Sequence, residues 1–168
     1  SLSGAGYYYV RDGGLVSIDA STNWGGVSSA FAFNNGWVTA EVTGEGSRWE
    51  GTGINMYRGS LSILDGGVMT GTGIVIARAT LQGNTDFSVL VSGAGSELAG
   101  DTISVGAGGK GVLTIANDGN VVVGGGSAAL VLGGTDADSD ATLNIGGVAG
   151  GAAMAAGTLE ASAVTLAA

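Results

Sequence analysis

Fourteen carboxylates and five cationic side chains carry most of the reactive chemistry in this 168-residue chain, because it contains no histidine and no cysteine. Thiolate nucleophiles, imidazole bases, disulfides and zinc centres of the usual His/Cys kind are excluded, whereas acid–base work by a pair of carboxylates is not. The best placed carboxylates are Glu45 and Glu50, with Arg48 between them and Trp49 alongside to stack on a sugar ring. The matching stretch further along the chain reads Ala94, Glu97, Leu98 and Ala99, so these charges vary between copies and read better as turn decoration. The expectation is that the chain is not an enzyme. Asp136, Asp138 and Asp140 match the first three ligand positions of a calcium loop, since alternating carboxylates converge on a hard cation. Ala141 stands where that loop needs Gly, and Gly147 where it needs a bidentate Glu. No bound metal and no cofactor are expected, and these three aspartates are the only candidates for a weak cation site. The run Gly106 to Gly111 resembles a phosphate loop but has Ser104 and Gly111 where the first Gly and the Ser/Thr belong, and no helix pattern follows it.

The large aromatics are the other chemically distinctive group. Trp24, Phe31, Phe33, Trp37, Trp49 and Tyr57 fall in the first third of the chain, and their default role is core or cap. Trp24, Phe31 and Trp37 lie in or beside Val16 to Val38, the segment that fits the internal repeat least well, and are the candidates for an exposed binding surface. A net charge of −9 opposes contact with phosphate backbones, so nucleic acid is not an expected partner. Gly, Ser, Thr, Asn or Asp interrupts every apolar run, so no membrane insertion of this segment is expected. Ser1 to Gly4 shows no basic region followed by an apolar stretch, so no secretion signal is read there.

The elements that position these groups follow from the repeat. Gly6 to Val16 aligns with Gly59 to Met69 and with Gly111 to Val121, at offsets of 53 and 52 residues. An unrelated motif, Val42 to Trp49, returns 49 residues later as Val91 to Leu98. Units of about 6–58, 59–110 and 111–162 result, with a truncated fourth opening at Ala163. Within them apolar residues alternate, as in Leu61-x-Ile63 and Leu113-x-Ile115, which is the period of half-buried strands. Asp-Gly-Gly and Gly-x-Gly-Ser corners separate the strands, and the 35 glycines disfavour helix throughout except for one turn at Val148 to Ala156. Half of a 52-residue unit is the length of one three-strand coil. The reading is therefore a single all-β domain, a right-handed parallel β-helix of about six or seven coils, with Leu61, Ile63, Leu113 and Ile115 pointing inward. The absence of proline agrees, because every central coil is hydrogen-bonded on both sides. Tyr7, Tyr8 and Tyr9 are assigned to cover one end, and Gly147 to Gly157 to close the other.

These motifs resemble the passenger domains of bacterial type V autotransporters, in particular the repeat shared by such passengers and by some surface-exported proteins with a PEP-type sorting signal. The likeness rests on Val42 to Trp49, Ile54-Asn55-Met56 and Gly59 to Met69, then on Val91 to Leu98, Ile103 to Gly106 and Gly111 to Val121. It spans about residues 6–146, and departs from the pattern at Leu98, at Asp118 and in a last unit lacking the Gly-Ser-x-Trp segment. The resemblance implies part of a passenger on the bacterial cell surface or secreted, a non-enzymatic adhesin or effector that binds a host cell-surface protein, matrix or other bacteria. Self-association belongs to the same expectation. A structural stalk is the alternative, and a polysaccharide-acting β-helix enzyme the second. Lack of cysteine agrees with export of an unfolded chain.

Overall fold

The computed structural model describes residues 6–18, 22–24, 36–78, 85–148 and 150–167, the side chains of 22–24 excepted. Its strands, in chain order, are β1 (Gly6–Val10), β2 (Leu15–Ile18), β3 (Thr22–Trp24), β4 (Val38–Thr43), β5 (Arg48–Met56), β6 (Gly59–Leu64), β7 (Val68–Ile76) and β8 (Asp86–Ser92). There follow β9 (Glu97–Val105), β10 (Lys110–Ala116), β11 (Asn120–Val123), β12 (Ala129–Leu132), β13 (Asp140–Ile145), β14 (Thr158–Glu160) and β15 (Ala163–Leu166). One 3₁₀ turn at Gly124–Gly126 is the only helical element among the described residues. Val148 and 150–156, where one turn of helix was expected, contain none: Ala156 instead forms a bridge to Ala116.

Every strand pairs in parallel with the strand one coil away, which requires the chain to travel a full circuit between partners. The first sheet runs β1-β4-β6-β8-β10-β13, one strand per coil, and defines six coils among the described residues. The second runs β2-β5-β7-β9-β11-β14, with β3, β12 and β15 extending it where β5, β7 and β9 continue as nine-residue strands. This is a parallel β-helix, about 25 Å from first coil to last at the usual strand spacing.

The core is a set of columns, each built from one inward position repeated coil after coil. Tyr8, Ala40, Leu61, Val89, Leu113 and Leu143 form one; Val10, Val42, Ile63, Val91, Ile115 and Ile145 form the next. Across from them stand Val16, Trp49, Met69, Leu98, Val121 and Leu159. Leu61, Ile63, Leu113 and Ile115 are each at most 1% exposed, as the alternation requires. The register also explains the sequence offsets. Gly6, Gly59 and Gly111 occupy one column at every second coil, and Val42 and Val91 occupy another with Ile63 between them.

A two-coil unit exists because two kinds of turn alternate between the sheets. In the first, third and fifth coils the central pairs Asp12-Gly13, Asp65-Gly66 and Asn117-Asp118 all have positive φ, the signature of a type I′ turn, closed by N–H to C=O bonds of 2.9 Å. In the second and fourth coils the turns Gly44 to Ser47 and Gly93 to Ser96 have one positive-φ residue in the central pair, Gly46 or Gly95, after a first glycine, Gly44 or Gly93, that is also at positive φ. The two kinds interlock. The Gly13 amide donates to Ser47 Oγ and the Gly66 amide to Ser96 Oγ, both at 3.1 Å, and both serines are fully buried. Ser96 Oγ donates in turn to the Ser92 carbonyl at 2.8 Å.

The sixth coil breaks this alternation. Gly146 to Gly157 replaces the Gly-x-Gly-Ser turn, and the carbonyls of Ala155 and Ala156 accept from the Asn117 and Asp118 amides. Ala163 to Leu166 does not open a further unit on the first sheet: it lies in register with Ala129 to Leu132 and completes the sixth coil. The tyrosines expected to cover one end instead follow strand alternation in β1, with Tyr8 packed against the core and Tyr7 and Tyr9 on the outer face.

Candidate functional site

Outward positions of the first sheet form columns just as inward ones do. Tyr7, Thr39, Ser60, Ser88, Val112 and Thr142 share one, and Tyr9, Glu41, Ser62, Leu90, Thr114 and Asn144 share the next. Hydroxyls predominate over the middle coils, while aromatic rings collect on the first two. Tyr7 is 75% exposed, Tyr9 53% and Trp37, just before β4, 55%. Trp37 is tied to β1 by the bond from the Gly6 amide to its carbonyl, which sets it diagonally beside Tyr7 on the same face. Arg11 fixes the other side of the patch: its guanidinium lies 4.2 Å from the Tyr9 ring centroid and bonds Glu41 Oε1 at 2.8 Å.

The column through Trp37 carries charge of alternating sign. One residue before the aligned pair Val38 and Gly59 stand Trp37 and Arg58; the column continues as Asp86, Lys110 and Asp140, with Lys110 directly opposite both aspartates. Parallel in-register strands impose this stacking, so opposite signs on neighbouring coils relieve what like signs would cost. Between Trp37, Asp86 and Lys110 lies an open hollow of about 180 Å³ whose lining includes Gly59, Ser88 and Val112. Gly59 is required there. Its φ is +134° and a Cβ would stand 1.8 Å from the Val38 carbonyl oxygen.

A second, larger depression follows the bend of the second sheet. Gly51, Gly71 and Gly100 align at the bend, and the ladder of paired residues resumes only at Gly53, Gly73 and Thr102. The resulting groove, about 460 Å³, is walled by Glu50, Thr70, Thr52, Thr72 and Asp101. Glu50 there is held by Arg48 Nε at 3.1 Å.

The residues singled out from sequence are thus dispersed. Trp37 is on the exposed face as expected; Trp24 pairs along the backbone with Met56, and Phe31 lies outside the described residues. Trp49 is 4% exposed in the core and cannot stack on a sugar, because its position in β5 has inward parity. Glu45 sits in the Gly44 to Ser47 turn, in line with turn decoration, while Glu50 lies on the groove wall, whose lining does not include Glu45. Asp136 and Asp138 are exposed in the loop before β13, whereas Asp140 is in the strand opposite Lys110; no three acidic side chains gather as a metal site among the described residues. Gly106 to Gly109 joins strand β9 to strand β10, in which Lys110 and Gly111 lie, and does not lead from a strand to a helix. Sequence reasoning missed Tyr7, Tyr9, Asp86 and Lys110. Tyr7 and Tyr9 were legible from the alternation around Tyr8, but the approach of Asp86 and Lys110 depends on coil lengths that the sequence does not display.

No family model, curated protein or solved structure matches the chain.

Proposed function

We propose that this chain is a segment of an exported, surface-displayed or released bacterial passenger of the autotransporter kind, and that it acts by binding rather than by catalysis. The observation that carries the reading is the aromatic patch of Tyr7, Tyr9 and Trp37 on the outer face of the first two coils. Exposed Trp and Tyr lose little side-chain entropy on contact and bury large areas, which makes them the usual anchors of recognition surfaces. The negative net charge favours partner surfaces with basic patches and makes association weaken with salt. Host cell-surface protein, matrix and other bacteria are the partner classes in view.

The test is flow cytometry of the labelled protein on animal cells and on bacterial cells. Saturable binding that falls at least about tenfold in the triple variant Tyr7→Ala/Tyr9→Ala/Trp37→Ala supports the reading. Binding that survives the triple variant moves the surface elsewhere, and no binding to any cell favours a structural stalk. A polysaccharide-acting enzyme is the second reading, favoured by the groove that carries Glu50 and Asp101 on coils two apart. Release of reducing ends from soluble polysaccharide, abolished by Asp101→Asn, would select it.

A further inference from the structure

The hollow beside Trp37 has a composition that selects a ligand class. One wall is an indole more than half exposed, and the others include a carboxylate, Asp86, and an ammonium, Lys110. Neither charge forms an ion pair within 4 Å among the described residues, although their Cα atoms are direct partners in the ladder. Both therefore keep hydrogen-bonding capacity toward a third group: Asp86 as acceptor, Lys110 as donor of three N–H bonds. The column containing them alternates in sign, from Arg58 through Asp86 and Lys110 to Asp140, so the local field favours neither an anion nor a cation.

We infer that this hollow binds a neutral pyranose ring of a glycan, stacked on Trp37 and held through its hydroxyls by Asp86 and Lys110. This rests on the binding role proposed for the same face, and deepens it by naming the ligand. A sugar ring matches each feature. Its C–H face carries partial positive charge and lies against the electron-rich face of an indole. Each hydroxyl both donates and accepts, so adjacent hydroxyls satisfy a carboxylate and an ammonium together without a net ligand charge. The hollow is the size of a single ring and is open to solvent, which suits one unit of a longer chain lying across the face. A purely apolar ligand would leave Asp86 and Lys110 desolvated without partners.

The test is saturation-transfer NMR on the whole chain with methyl glycosides of glucose, galactose, mannose and N-acetylglucosamine, each at tens of millimolar. Transfer to at least one glycoside is expected, lost in Trp37→Ala, retained in Trp37→Tyr and reduced several-fold in Asp86→Asn and in Lys110→Met. Circular dichroism of the variants separates lost binding from lost fold, and an exposed position makes Trp37→Ala mild for the fold. Transfer to none of the four glycosides, or transfer unchanged in Trp37→Ala, overturns the inference. Cell binding that depends on Tyr7, Tyr9 and Trp37 but is not competed by any of these glycosides would leave the binding role standing and remove the sugar; loss of cell binding with sugar binding intact would do the reverse.

Discussion

Leu113 and Leu143 are neighbours in one column of the helix, as are Ile115 and Ile145, yet the fifth coil buries its pair completely and the sixth does not. Leu113 and Ile115 are sealed by coils above and below, whereas Ile145 is 50% exposed and Leu143 only partly buried. In the second sheet Val164 and Leu166 are likewise exposed although they stand in register with Leu130 and Leu132. The same apolar residue types in the same register thus have unequal stability contributions, because a solenoid side chain is buried by its neighbours above and below as much as by its own coil. The turns differ in parallel. Those of the first four coils plug into each other through Ser47 and Ser96, while the Gly146 to Gly157 segment meets the fifth coil through main-chain carbonyls.

The sharpest way to break this comparison is truncation of the paired leucines. Leu113→Ala should cost about 2–5 kcal/mol in urea unfolding, and Leu143→Ala less than about half as much. Equal losses would mean that the sixth coil is buried as deeply in solution as the fifth. Next in size is Ser96→Ala, which removes a fully buried hydroxyl, leaves the partly buried Gly66 amide without its acceptor and the Ser92 carbonyl without that donor, and should destabilise by about 1–3 kcal/mol. Its control is Ser127→Ala, where an exposed hydroxyl bonds the Gly124 carbonyl, with an expected change within about 0.5 kcal/mol. A further contrast needs no mutation. Amides of β7 and β9, paired on both sides, should exchange with deuterium more slowly than those of β14 and β15, which are paired on one side only. The smallest expected effect is at the surface: Glu50→Gln removes the negative charge that pairs with Arg48 and should alter stability by less than about 0.5 kcal/mol.

Coil length explains why the binding face was only partly readable. Trp37, Asp86 and Lys110 lie far apart in the chain, and the intervals between ladder partners vary: Val38 meets Gly59, which meets Phe87, which meets Gly111. A uniform coil would assign the wrong partner to most outward residues, so Trp37 stood out as a large aromatic while the acid and base beside it did not. Trp49 is the opposite case: its default place in the core holds, and only the stacking role falls away. Its neighbours Arg48 and Glu50 are polar and exposed, and that same alternation, once read as a strand, turns the indole inward.

What the sequence by itself determined is local and periodic. Alternating apolar residues specify strands, Asp-Gly and Gly-x-Gly-Ser specify two turn types, and their return at 49 to 53 residues specifies a stack of two-coil units. Each of these is a property of a few consecutive residues or of their repetition, so chain order alone reveals it. Only the tertiary structure decided which outward side chains share a column, that Gly51, Gly71 and Gly100 align at a grooved bend, and that Ser47 and Ser96 serve the coil before their own. Those relations join residues through hydrogen bonds between coils, and the loops that set the register differ in length from one coil to the next, so the pairing exists only once the coils are stacked.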